Sequence, residues 1–487
     1  MEQRIHLIRP DIPFEAQYPL STCDTQLPVR FVRQAFLYAS DQDTFSSSEA
    51  QDLVSRLQDS LKSFLRQPEP GVLGYPQLLG RIVQPADDTS PCITVKKSSA
   101  IHFNVVHKPE IEFSSFHTEQ GFPEYRTNIS DFRIGLERND MLESPEGPHN
   151  FAVQITFVRG GFVLLIQASH QMTDGYGLAG FIKHWFRRTR SGSNAGYGPD
   201  MDPFSTMAMH DKSELSRENI EGETAGLRKL EDVYSTVATT SNPFMGTGKT
   251  VSQIFWVSPH MLEELRAMMQ AYSPKPPTIF QCIVVLLWRC IVRTRLTSAS
   301  DAAAQRSKVV LVTNMRGRLE PSLPADYFGN AATGLFVHLP ISNVAEADGT
   351  STAISAVQQV LQDDTSDLNL RLTNQLIGRQ LKNLGISIPV NLLGHDLIFN
   401  SWEHLFPDVS DLDIGLGDFC RMRYLMDSPI TPSYVMVLPT YGMRKQGSDG
   451  GHPGRYPGGI EVQVNLLSPQ MERLLQDQEW LQYACPV

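Results

Sequence analysis

The stretch ASHQMTDGYG, residues 168–177 of the 487-residue chain, sets a histidine (His170) four positions ahead of an aspartate (Asp174), with glycines at 175 and 177. A neutral imidazole of ordinary pKa takes a proton from a hydroxyl or an amine at neutral pH, which typically contributes ~10²–10⁴ in rate. The spacing alone carries little. A chain with 13 histidines holds such a match by chance, and a second one occurs at His404-Leu-Phe-Pro-Asp408. Context separates the two. His170 ends an apolar run and opens an amphipathic one, the strand-to-helix position at which α/β proteins present reactive groups. His404 lies beside a proline, with no glycine or helical pattern after it.

Gly175 and Gly177 let the backbone turn tightly and leave room for a ligand. The chain has no GxSxG nucleophile elbow, and none of its six cysteines (positions 23, 92, 282, 290, 420 and 485) has a catalytic signature. Direct attack by an activated acceptor is therefore expected, rather than a covalent enzyme intermediate. Asp174 can either hold the imidazole or pin the loop. The second role is preferred, because a carboxylate beside the base would mainly raise its pKa.

The elements that must position these residues follow from pattern. FAVQITFVRGGFVLLIQAS (151–169) reads as two strands joined through Arg159-Gly160-Gly161. After Gly177, Leu178, Phe181, Ile182, Trp185 and Phe186 mark one face of a helix. An earlier helix is predicted at 46–66, with Leu53, Leu57, Leu61 and Leu65 recurring every fourth residue, and a short strand at Arg81-Ile82-Val83. From 189 to 246 the chain turns rich in Gly, Ser, Thr, Asn and Pro, which predicts a crossover carrying a helix at roughly 213–233. The second half resumes with the strand VSQIFWVS. A helix capped by Ser258, a buried helix opening at Thr278 and the strand SKVVLVTN follow. The expected architecture is α/β with two similar-sized lobes, 1–188 and 247–487, joined by the crossover 189–246.

Composition narrows the class. Hydrophobic residues make up 41% and charged residues 20%, ordinary values for a globular protein. A net charge of −11 argues against nucleic acid or an anionic membrane as the main partner. MEQRIHLIRPD lacks the features of a signal peptide, IFQCIVVLLWRCIV is too short to span a bilayer, and no cysteine or histidine pair has zinc-ligand spacing. A cytoplasmic, metal-free protein is expected.

HQMTDG resembles the His-x-x-x-Asp-Gly motif of the BAHD acyltransferases, which share the chloramphenicol-acetyltransferase-like fold. The resemblance spans nearly the whole chain. PLSTCD (19–24), YPQLLGRI (75–82), TNMRGRLEPSLPADYFGNAA (313–332), DIGLG (413–417) and GGIEVQVNLLSPQMERLLQDQEW (458–480) follow in the family's order. DIGLG replaces the family's Asp-Phe-Gly-Trp-Gly and, with YFGN, is similar to the fungal branch that includes trichothecene 3-O-acetyltransferases. The resemblance implies a monomer of two chloramphenicol-acetyltransferase-like lobes, the second carrying DIGLG. It implies His170 as general base toward an acyl-CoA, acetyl-CoA foremost, and a hydroxylated secondary metabolite as acceptor. Asp174 and Gly175, and likewise Asp413, Gly415 and Gly417, become architectural. Asn400, in Asn400-Ser401-Trp402, takes the place of a threonine thought to stabilise the thioester oxyanion, with Ser401 and Trp402 as tunnel residues. Asp413 is expected to be buried with a cation from the strand end, Arg316 first and Arg318 second. Lys275, just before the helix start at Thr278, is the candidate for the CoA phosphates.

Three readings compete with O-acylation from acyl-CoA. One is N-acyl transfer. Another is a condensation-type enzyme with a carrier-bound donor, which usually has a second histidine where this chain has Ser169. The third is a non-catalytic binder that has kept the fold.

Overall fold

The computed structural model describes residues 2–27, 30–40, 47–83, 91–116, 149–192, 211–215, 248–273, 275–296, 305–346, 348–384, 390–425, 430–440 and 458–487. The chain divides into two compact units. Unit 1 joins Met1–Arg217 to two later segments, Pro321–Ala331 and Leu405–Ser428, and unit 2 holds the rest. The predicted crossover lies mostly outside the described residues, as does its predicted helix, of which only the turn Ser213–Leu215 is described.

Along the first half run β1 (Glu2–Ile8), β2 (Ala16–Pro19), β3 (Phe31–Ala39), β4 (Arg81–Val83), β5 (Cys92–Val95), β6 (Ile101–Glu112), β7 (Phe151–Arg159) and β8 (Gly161–Ser169). The second half adds β9 (Thr250–Val257), β10 (Arg306–Asn314), β11 (Ala332–Pro340), β12 (Leu397–Ser401), β13 (Asp418–Tyr424), β14 (Tyr434–Pro439), β15 (Ile460–Leu467) and β16 (Cys485–Pro486). Unit 1 is built on a six-stranded sheet of order β1-β6-β7-β8-β3-β13, beside a small sheet β2-β5-β4. Unit 2 has a seven-stranded sheet of order β11-β10-β12-β14-β15-β9-β16. Both large sheets are mixed: β6 pairs with β7 in parallel, as β12 does with β10 and β14, among antiparallel neighbours.

The hairpin reading of 151–169 holds, with Gly160 at φ 79° in its turn. Its strands are buried along nearly their whole length, Gln154, Thr156 and Gln167 included, because both sit inside the sheet and are covered on both faces, so burial does not alternate. The helix Ser47–Ser63 buries Leu53, Leu57 and Leu61 against the helix Gly175–Ser191. There the Trp185 indole donates to the Leu57 carbonyl at 3.1 Å and to Ser60 Oγ at 3.0 Å. In unit 2 the helix Ile279–Arg295 is the core element, and Arg289 within it donates to the carbonyls of Val344 and Glu346.

One expectation needs correction. DIGLG does not belong to the second lobe: β13, which it leads into, pairs antiparallel with β3 and extends the sheet of unit 1. The reason is visible at the entry. Gly417, at φ 73°, passes so close to Ala39 that an added Cβ would lie 3.0 Å from its carbonyl oxygen, and Tyr38 Oη donates to the Leu412 carbonyl at 2.8 Å. Pro321–Ala331 makes the same return. Phe328 packs edge-on against Tyr75, ring centres 5.0 Å apart, and against Phe181 at 6.4 Å.

Candidate active site

His170 is placed by the end of β8 and the start of the following helix. The Ser169 carbonyl accepts from the amides of Met172 and Thr173 at 3.0 and 3.3 Å, which closes a tight turn. Asp174 then caps the helix Gly175–Ser191 in extended conformation, its Oδ1 accepting from the Gly177 amide at 2.8 Å. Its Oδ2 accepts from the Ala331 amide at 2.9 Å, which ties the returning segment to the turn. The carboxylate is buried, at a helix N-terminus that favours negative charge. Gly177 has no room for a side chain: an added Cβ would sit 2.4 Å from Thr173 Oγ1 and 3.1 Å from the Tyr327 carbonyl oxygen. Asp174 therefore braces the turn through backbone amides.

The backbone of His170 is held on both sides. Its amide donates to the Arg30 carbonyl at 2.8 Å, and its carbonyl accepts from Asn330 Nδ2 at 2.8 Å. Asn330 is anchored in turn by a fully buried carboxylate, because its amide and Nδ2 both donate to Asp24 Oδ1, at 3.1 and 2.8 Å. Asp24 Oδ2 takes the Ser21 amide and hydroxyl at 2.8 and 2.9 Å and meets Lys212 Nζ at 2.5 Å. Such a carboxylate is tolerable in the interior because a cation and several donors replace its water. A relay of contacts thus runs from Lys212 through Asp24 and Asn330 to the His170 carbonyl. Sequence reasoning quoted PLSTCD and YFGN but gave Asp24 and Asn330 no role. The acid in the first motif and the amide in the second were the available signals.

The imidazole is largely enclosed, and its Nδ1 is buried with no partner at hydrogen-bond geometry among the described residues. Burial pushes its pKa down to about 4, and the Arg30 guanidinium adds to the effect. The residue's own backbone, Asp174 and Asn330 pull the other way. At neutral pH the ring is uncharged and able to accept a proton.

The remaining predicted residues divide between the units. Asn400, at the end of β12, belongs to unit 2. Its Oδ1 accepts from the Ser401 amide at 2.8 Å and its Nδ2 donates to Tyr434 Oη at 3.0 Å, which fixes the amide's orientation. Ser401 Oγ accepts from the Glu403 amide at 3.3 Å, and Trp402 is buried with its amide on the Val437 carbonyl at 2.8 Å. Thr278 caps its helix, its hydroxyl accepting from the Gln281 amide at 3.2 Å. Lys275 is exposed and reaches the neutral side chain of Gln362. Arg316 is buried in a 3-10 turn and donates to Asn314 Oδ1 at 3.1 Å.

Asp413 departs from expectation. It is half exposed, and its partner is Arg190 at 3.3 Å rather than Arg316 or Arg318. Its Oδ1 accepts from the Gly415 amide at 2.7 Å, and Gly415 sits at φ 79°. DIGLG returns to the sheet of unit 1, so the cation within reach comes from the end of the helix Gly175–Ser191. His404, the chance match, is 47% exposed and contacts Glu403 at 2.7 Å. Among the described residues no three His, Cys, Asp or Glu side chains cluster to hold a metal, and no helix is long and apolar enough to cross a membrane.

The family model described as Transferase family matches residues 4–481. The BAHD acyltransferase DCR of Arabidopsis thaliana is 21% identical, over 96% of this chain and 88% of its own. Phenolic glucoside malonyltransferase 1 of Bemisia tabaci is 23% identical, over 83% and 81%. Among solved structures, F. graminearum TRI101 complexed with coenzyme A and deoxynivalenol superposes with a TM-score of 0.73 at 17% identity, covering 97% of this chain and 99% of that one. Vinorine synthase superposes with a TM-score of 0.62 at 19% identity, covering 99% and 98%.

Proposed function

Because this chain belongs to the Transferase family of BAHD acyltransferases, we propose that it moves an acyl group, acetyl foremost, from coenzyme A to a hydroxyl of a small secondary metabolite. His170 is the general base in this reading. Its ring takes the proton of the acceptor hydroxyl as the oxygen attacks the thioester carbonyl carbon. The tetrahedral intermediate then collapses, the carbon–sulfur bond breaks, and the imidazolium returns the proton to the departing thiolate. The observation that carries this is the uncharged, enclosed imidazole on a turn braced by Asp174 and Asn330.

Asn400 is assigned to the developing oxyanion. Its amide is oriented by Ser401 and Tyr434, and its second N–H is the one left for the carbonyl oxygen. Lys275 is assigned to a CoA phosphate, since its ammonium meets only a neutral amide among the described residues. The choice of a coenzyme A-linked donor and a small oxygenated acceptor is supported by the TRI101 neighbours, which were solved with coenzyme A and with deoxynivalenol or T-2 mycotoxin. The test is release of free thiol from acetyl-CoA in the presence of hydroxylated terpenoids, with mass gain on the acceptor as the second readout. A catalogue of such acceptors giving thiol release by hydrolysis alone, or none, would remove the reading.

A further inference from the structure

The helix Ile279–Arg295 of unit 2 ends beside a cavity of about 240 Å³ that the acyl-transfer reading does not use. Arg295 and Arg473 both line it, together with His395 and Gln470. Among the described residues no carboxylate lies within ion-pair distance of Arg295, and Asp396 acts on it only at longer range. Arg295 Nη1 donates to the Asp396 carbonyl at 3.3 Å and its Nη2 to Ser433 Oγ at 2.6 Å, while its Nε is buried with no hydrogen-bond partner. The nearest acid, Asp396, is occupied elsewhere. Its Oδ1 takes the Lys308 amide and its Oδ2 the Asn391 amide, each at 2.8 Å, with Lys308 Nζ at 3.8 Å. Arg473, at an exposed position, donates to the carbonyl of Thr294, the neighbour of Arg295 in the chain.

Two arginines line one cavity, one of them with a desolvated guanidinium, and together they supply donors suited to an oxyanion. Burial already pulls the Arg295 pKa down to about 10, the mark of a charge that water no longer supports. We propose that this cavity is an anion-binding site for a small phosphorylated or carboxylated molecule, held between Arg295 and Arg473. It is separate from the Lys275–Thr278 end of the helix, because Arg295 lies 17 residues along it from Thr278, about 25 Å away. A bound anion would be stabilising as well as recognised, because it adds negative charge beside two guanidinium groups.

The experiment titrates the full chain with inorganic phosphate and, separately, with citrate at constant ionic strength, read by calorimetry and by thermal shift. Saturable binding of one of them is expected; phosphate alone identifies a phosphoryl ligand, citrate alone a carboxylate one. Arg473→Met, at an exposed position, should weaken that binding at least tenfold while the unliganded protein melts as before. Arg473→Lys should keep part of the affinity, and the inactive His170→Ala protein should bind the anion unchanged. Absence of saturable binding with both anions would overturn the proposal, as would an Arg473→Met protein that binds as tightly as the parent. Competitive displacement by coenzyme A would also overturn it, by giving these cations to the acyl donor.

Discussion

At residues 170–177 and again at 413–417, an aspartate stands ahead of glycines and accepts a hydrogen bond from a backbone amide two or three residues on. The second oxygen makes the difference. In Asp174 it accepts the Ala331 amide inside the protein, at 4% exposure. In Asp413 it meets the Arg190 guanidinium in a pair whose side chains are 38% and 50% exposed. The same local grammar therefore carries different energetic weight. A buried carboxylate that satisfies two amides cannot be removed without stranding donors away from water. A half-exposed ion pair is replaced by solvent at little cost.

The largest effect is expected at the residue that the first turn presents. His170→Ala should keep its melting temperature and lose turnover by ~10²-fold or more, because it deletes the proposed base without opening the apolar core. Near-parent rates in a folded His170→Ala protein would break the link between the braced turn and catalysis. The pH profile sharpens it. With its pKa near 4, the unliganded enzyme keeps the base form well below neutrality, so kcat/KM should fall only as pH drops toward about 4. An acid limb centred near the ordinary histidine value of ~6.5 would show that the imidazole is not desolvated. Stability follows the same sign. A histidine with a folded pKa below its unfolded one contributes fully above about 6.5 and loses that contribution as pH falls toward 4. His149, also pushed down to about 4 by burial beside Arg81, adds to the same window.

Asp174→Ala comes next. It removes a helix cap, worth ~0.5–2 kcal/mol, and strands the Ala331 amide, worth ~1–3 kcal/mol. A loss of about 1.5–5 kcal/mol in urea unfolding is expected, with turnover falling because the turn that carries His170 loosens. A fully stable Asp174→Ala protein would show that the returning segment is held by other means.

The fold was legible where pattern and burial coincide. The hairpin at 151–169, the leucine face of the helix Ser47–Ser63 and the Ser258 and Thr278 caps need only local rules. The divisions of the chain were not, because Pro321–Ala331 and Leu405–Ser428 return to unit 1 through contacts more than a hundred residues distant in sequence. At the site, His170 and Asp174 announced themselves by spacing and context. Asn330 and Asp24 stayed silent, because an asparagine that bonds a buried acid and a histidine carbonyl at once reads along the chain as an ordinary turn residue. The partner of Asp413 was misread for the same reason. Arg316 and Arg190 are both plausible cations in sequence, and only the pairing of β13 with β3 selects between them.

The smallest effect belongs to the second turn. Asp413→Ala removes a pair that water already screens, so the ion-pair loss should stay within ~0–1 kcal/mol. The Gly415 amide released from Oδ1 is exposed with the turn and finds solvent instead of a vacancy. What positions the segment is elsewhere: the close passage of Gly417 against Ala39, the Tyr38 hydroxyl on Leu412, and the strand pairing that follows. The variant should express, melt within a few degrees of the parent, and turn over within about threefold of it. Gly417→Ala provides the contrast, because it forces a Cβ against a carbonyl oxygen at φ 73° and should cost more than the charge does. If Asp413→Ala proved as damaging as Asp174→Ala, the half-exposed pair would have to be buried in the working enzyme. The two turns would then be equal after all.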